Sequence, residues 1–120
     1  MPLNKQVSIY EAAHRVLDEA ITEALGSTSF AVITFHLKQK FGKDPSEVFV
    51  EDPRAFYTAL QSIFGAGAES IVNLVGTFLT SKYGMTYGGE EFAQLLIVGD
   101  KLSRKKIREI LSQIVNRKEN

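Results

Sequence analysis

Residues 28–83, TSFAVITFHLKQKFGKDPSEVFVEDPRAFYTALQSIFGAGAESIVNLVGTFLTSKY, decide the fold. Phe30, Ile33, Phe35, Leu37 and Phe41 form a first set of apolar positions, Phe56, Leu60, Ile63 and Phe64 a second, and Ile71, Leu74, Val75, Phe78 and Leu79 a third. Each set recurs at helical spacing, and Gly or Pro separates one set from the next. Amphipathic helices of this kind must bury their apolar faces against one another. Val32, Ile33 and Thr34 are β-branched and argue weakly for a strand, but the i, i+3, i+4 pattern and the following Lys-Gln-Lys outweigh them.

The punctuation supplies the boundaries. Ser27, Thr28 and Ser29 offer an N-cap for the first of these helices, and Gly42 stops it. Lys43 to Asp52 reads as a connector, with Pro45 inside it and Val48 and Phe49 pinning one short helical turn to the core. Asp52-Pro53 is a strong helix start, because Asp accepts free N–H groups and Pro loses no bond at the first helical position. That helix runs to Phe64, where its ring should be buried. Gly65-Ala66-Gly67 then breaks the chain, and the next helix runs from about Ala68 to Tyr83 and stops at Gly84.

Upstream, Ser8 and Glu11 form a capping box that predicts a helix start at Ser8 after a tail over 1–7. Ile9, Ala12, Ala13, Val16, Leu17, Ala20, Ile21, Ala24 and Leu25 make its apolar stripe, Gly26 its left-handed stop, and Glu11, Arg15, Asp18, Glu19 and Glu23 its solvated face. Downstream, a shorter helix covers Glu90 to Val98, and a final basic helix begins near Ser103. No strand pairs convincingly and no period repeats. The expected fold is all-α: one domain over residues 1–120, with five or six helices, a core over 8–100 and a basic terminal helix over 101–120.

Composition narrows the function classes. The 120 residues are 44% hydrophobic and 23% charged, so a core can form and the signature of disorder is missing. Cysteine is absent, which excludes disulfides, thiolate metal sites and cysteine nucleophiles. No apolar run approaches the roughly 18 residues of a membrane span and no leader pattern opens the chain, which reads as cytoplasmic with no membrane partner. The net charge is zero but unevenly spread: seven Lys or Arg against twelve Asp or Glu over 1–100, and seven against two over 101–120. A basic tail on an acidic body points to use against an acidic surface.

The middle of the chain resembles a small archaeal family, the Nitrosopumilus output domain. The resemblance is carried by Phe35-His36-Leu37-Lys38-Gln39-Lys40-Phe41-Gly42, by the acidic, Pro-containing linker, and by Phe56 with Ala59-Leu60-Gln61-Ser62-Ile63-Phe64-Gly65. A helix from Gly67-Ala68-Glu69 to Lys82-Tyr83-Gly84 completes it. The positions are apolar or glycine, so they specify packing rather than chemistry. The resemblance implies a helical module at the effector end of archaeal regulators, and no catalytic residues.

Candidate sites are few. The glycines at 65 and 67 precede a helix start, where exposed N–H groups favour an anion, but the strand and the Gly-Lys-Ser/Thr of a phosphate loop are missing. His14 and His36 are the neutral-pH proton carriers, and neither has a second histidine at His-x-x-x-His spacing. Glu90 and Glu91, with Asp44, Glu47, Glu51 and Asp52, suggest paired carboxylates for acid–base work, but helix starts attract carboxylates through the macrodipole, which accounts for four of the six. No catalytic residue, metal or cofactor is predicted.

The sharpest functional signal is Lys101, Arg104, Lys105, Lys106 and Arg108. Cations at a helix start oppose the dipole, so something anionic should compensate. The acidic face of the first helix or solvent comes first in preference, then a protein partner, then nucleic acid, for which no reader motif is visible. Ile107, Ile110, Leu111 and Ile114 form an apolar seam that could pack across a two-fold axis. The expected function is a non-enzymatic regulatory, signal-output or protein-interaction module, acting as a homodimer. A nucleic-acid-associated protein and a small-ligand carrier with a pocket between the Phe-rich helices are the alternatives.

Overall fold

The structure, a computed structural model, describes the backbone of residues 5–119 and the side chains of residues 8–116. Seven helices account for nearly all of it: α1 (Lys5–Leu25), α2 (Ser27–Phe41), α3 (Pro45–Glu51), α4 (Pro53–Phe64), α5 (Gly67–Tyr83), α6 (Gly89–Val98) and α7 (Lys101–Glu119). No strand occurs among the described residues. The Cα radius of gyration is 13.3 Å. A single domain of this length is expected at about 13.6 Å.

α1 is the axis of the bundle, lying against α2, α3, α5 and α7, while α5 and α6 form the tightest pair. The pairing of α5 with α6 depends on glycine. A Cβ at Gly76 would stand 2.7 Å from the Phe92 Cβ and 3.0 Å from the Gly89 Cα, so only a missing side chain lets the helices approach this closely.

The helix stops at Gly42 and Gly84 are left-handed, as their sequence positions predict, at φ 69° and 66°. Asp52 caps α4 through its carboxylate, which accepts from the Ala55 N–H at 3.1 Å, with Pro53 at the first helical position. Three boundaries differ from expectation. α1 is already under way at Lys5, so Ser8 is a helix-interior residue and its box with Glu11 does not start the helix. Gly26, expected as a left-handed stop, has φ 98° and ψ 160° and serves as the N-cap of α2, which places Ser27 to Ser29 inside the first turn. There the Ser29 hydroxyl donates to the Leu25 carbonyl at 3.1 Å, joining the two helix ends.

The third difference raises the helix number from five or six to seven. Pro45–Glu51, expected as a single turn within a connector, is a complete short helix. The Asp44 N–H donates to Glu47 Oε1 at 3.0 Å, and Pro45 occupies the first helical position. Val48, Phe49 and Val50 are all buried, because α3 is enclosed by α1, α2, α4 and α7. Phe49 meets Phe56 edge-on at 5.4 Å between ring centroids and Phe92 at 6.1 Å, tying α3 to α4 and α6. Phe64, expected to be buried, is only partly so.

A basic corner at the start of the last helix

α7 begins at Lys101, within the expected basic segment over 101–120, with Asp100 as its cap. The Asp100 carboxylate accepts from the Ser103 N–H at 2.9 Å. These bonds to Ser103 hold the Asp100 carboxyl below the usual carboxylate range. This carboxylate supplies part of the negative charge that the basic helix start requires. A group whose folded pKa is lowered contributes its full stabilisation above the ordinary carboxylate range, and loses it as the pH falls through the folded value. Asp100→Asn should therefore lower the melting temperature at neutral pH and flatten its fall between about pH 5 and pH 2, as read by thermal melts across that range. An unchanged acid limb would show that Asp100 does not hold the start of α7.

One face of α7 is committed to the core. Ile107 and Ile114 are 1% exposed, and Ile110 and Leu111 are 2% exposed, within the single chain. The apolar seam expected between two subunits is thus covered by the chain's own α1, α3 and α6, and is not available to a second copy. The apolar spacing is the same in either case. Sequence alone does not say which surface covers it.

The opposite face carries the cations. Lys101 and Lys105 are exposed and Arg104, Lys106 and Arg108 half-buried, with Leu102 beside them at 58% exposure and Val98 at 51%. Arg54, at the start of α4, joins the same corner, since its guanidinium Nη1 donates to the Ile97 carbonyl. The contact is close because Gly99 turns at φ 58° against the Arg54 backbone, where a Cβ would stand 2.5 Å from that of Arg54. Docking of α4 on this turn and packing of Ile107 to Ile114 fix the corner at both ends.

Among the described residues, the ion pairs are Lys38–Asp44 at 3.3 Å, Lys43–Glu51 at 2.7 Å and Lys82–Glu19 at 2.6 Å. None uses Lys101, Arg104, Lys105, Lys106 or Arg108. Glu51 also accepts from the Tyr10 hydroxyl at 2.9 Å, and Arg108 adds positive charge to that cluster. The hydrogen bond from Lys43, then that from Tyr10, pulls the Glu51 carboxyl down, while burial and then Glu51 push the Tyr10 hydroxyl up. Arg108 therefore finds partial compensation within the chain. The acidic face of α1 does not pair with the other four cations: Glu19 goes to Lys82, and Asp18 accepts from the Thr22 hydroxyl at 3.1 Å.

The remaining candidates separate widely. His14 is exposed and meets the edge of Phe30 at 5.8 Å, while His36 is half-buried with its Nε2 unpaired. Among the described residues no three His, Asp or Glu side chains gather in a metal-binding group. No helix among them is long and apolar enough to cross a membrane.

Sequence reasoning assigns Phe35 and Leu74 to buried faces, whereas they are 66% and 46% exposed. Phe35 is two residues from both Ile33 and Leu37, which places it on the far side of the wheel with Val32. That angular offset is readable from the sequence. The exposure of Leu102 is equally so, since it precedes the buried Ser103, Ile107, Ile110 stripe by one residue. Compared with protein-family models, with curated proteins and with solved structures, the chain matches none of them.

Proposed function

We propose that the chain is a non-enzymatic interaction module of the regulatory, signal-output kind, and that the basic corner of α7 is its contact surface for an acidic protein. The observation that carries the proposal is the outward display of Lys101, Leu102 and Lys105 on a helix whose inner face is fixed in the core. Ordering them on binding costs little backbone entropy, because the helix is already in place. Apolar side chains set among cations favour a protein over a nucleic acid: Leu102 and Val98 gain nothing from a phosphate backbone but supply the dry centre of a protein interface. The acidic body of the chain repels phosphates as well.

Fluorescence anisotropy tests the assignment, using an amphipathic peptide of Glu and Leu and, separately, mixed-sequence duplex DNA, at roughly 50 and 200 mM salt. The peptide should bind, and K101E/K105E should weaken it by about tenfold or more, as removal of charged contacts at an interface does. Tighter binding of DNA than of peptide, with a steep salt slope, would transfer the corner to the nucleic-acid reading. Peptide binding unaffected by the double change would remove the corner from function altogether.

A further inference from the structure

α1 and α5 leave between them a groove of about 450 Å³ whose floor includes Ala20, Ala24, Leu74 and Phe78. Leu74 is 46% exposed there, an apolar side chain its own chain covers only in part. The rim is acidic. Glu23 lines the groove, Asp18 and Glu19 line the hollow that adjoins it at Phe78, and Glu69 lines another that adjoins it at Leu74. Lys82 is the cation on this rim, with Arg15 near it, and Glu19 matches the Lys82 charge at 2.6 Å. Glu23 is exposed and has no ion-pair partner among the described residues.

We infer that this groove receives the basic corner of a second copy of the chain, with Leu102 and Val98 entering over Leu74 and Phe78 and Lys101 and Lys105 flanking the rim carboxylates. The inference rests on the proposed reading of the corner and names its partner. Three properties match. The corner is a ridge and the groove a hollow, each has an apolar centre, and their unpaired charges are opposite in sign. The opposition runs through the whole chain, since Lys and Arg number seven against twelve Asp and Glu over 1–100 but seven against two over 101–120. Folding does not consume it, because Lys101, Lys105 and Lys106 remain outside the charge clusters that Arg104 forms with Asp100 and Arg108 with Glu51. Exposed ion pairs contribute little each, so the apolar contact must hold the complex while the charges select its partner and make it weaken with salt.

Ridge and groove are different surfaces, so the contact is heterologous. In a head-to-tail pair one copy keeps a free groove and the other a free ridge, and assembly continues instead of closing at two. This distinguishes it from a dimer built on the Ile107–Ile114 seam.

Sedimentation velocity of the full chain tests the pairing. At roughly 50 mM salt the wild type should form species beyond dimer as concentration rises, and raising salt should shrink them. Leu74→Lys in the groove and Leu102→Asp on the ridge should each give a monomer with unchanged circular dichroism. Thr77→Arg, at an exposed groove position, replaces the first where Leu74→Lys lowers helicity. Mixed in equal amounts, the two variants should form a discrete heterodimer, because one retains an intact ridge and the other an intact groove. The two altered faces keep no apolar contact, and an exposed ion pair alone is too weak to extend the assembly.

A wild type that stays monomeric at all concentrations overturns the pairing, as does a groove variant that associates like wild type or a mixture that remains monomeric. The anisotropy measurement with the acidic peptide then separates the two ideas. If Leu102→Asp loses the peptide while the wild type never self-associates, the corner binds something other than this groove. If it leaves peptide binding unchanged, the reading of the corner falls with the pairing.

Discussion

Changing Ile110 and Ile114 to Lys should unfold the protein. Both side chains are buried to within 2% on the inner face of α7, against α1, α3 and α6. Losing each aliphatic side chain costs about 2–5 kcal/mol, before counting an ammonium group that must be dehydrated without a partner. Domains of this size have only about 5–15 kcal/mol in total. The double variant should show a large loss of helical circular dichroism and sediment as an expanded or aggregated chain. A folded monomer with native helicity would mean that α7 leaves the core without consequence, and would restore Ile107, Ile110, Leu111 and Ile114 to the role of a seam between subunits.

The seam shows what a sequence pattern can and cannot carry. Spacing of 3 and 4 residues fixes which side chains share a face, and it places Ile107, Ile110, Leu111 and Ile114 together correctly. It does not name the opposing surface, because a core and an interface draw on the same residue types. The helix ends at Gly42, Gly84 and Asp52-Pro53 were legible because each depends on local chemistry: a backbone with positive φ, or a carboxylate next to a residue with no N–H to satisfy. Gly26 was half-legible. Its positive φ follows from its being glycine before a new helix, but its ψ of 160° is imposed by α2 starting at the very next residue.

α3 and the basic corner were each legible only in part, for different reasons. In a helix of seven residues enclosed on several sides, Val48, Phe49 and Val50 are all buried, and Glu47 and Glu51 alone mark the outer face, too few positions to give a periodic signal. The cations of α7 were visible as a cluster, yet their meaning depended on what lay opposite them. Arg54 is 47 positions away from Lys101 in the sequence. It reaches the corner only because Gly99 lets α4 approach the turn. The groove between α1 and α5 is less legible still. It arises because Leu74 is exposed and Phe78 only partly buried, whereas apolar spacing on α5 alone assigns both to the core.

Phe49→Ala is the sharpest test of α3. The ring is 1% exposed and meets Phe56 edge-on and Phe92 at a tilt, so it joins α3 both to the next helix, α4, and to the distant α6. Truncation removes its burial and leaves a cavity that these rings can fill only in part, at a cost of about 3–5 kcal/mol. The melting temperature should fall by roughly 10–20 °C for a chain of this length, and the denaturant midpoint should shift without a change in slope. Phe64→Ala, at the partly exposed end of α4, should cost less than half as much, because less surface returns to water. If residues 43–52 were a surface connector, the order of the two variants would reverse: the ring of Phe49 would touch few neighbours, and its loss would shift stability by under about 1 kcal/mol. The ranking of the two Phe variants, measured by denaturant unfolding under identical conditions, therefore decides whether α3 is a structural centre of the bundle or a strap across it.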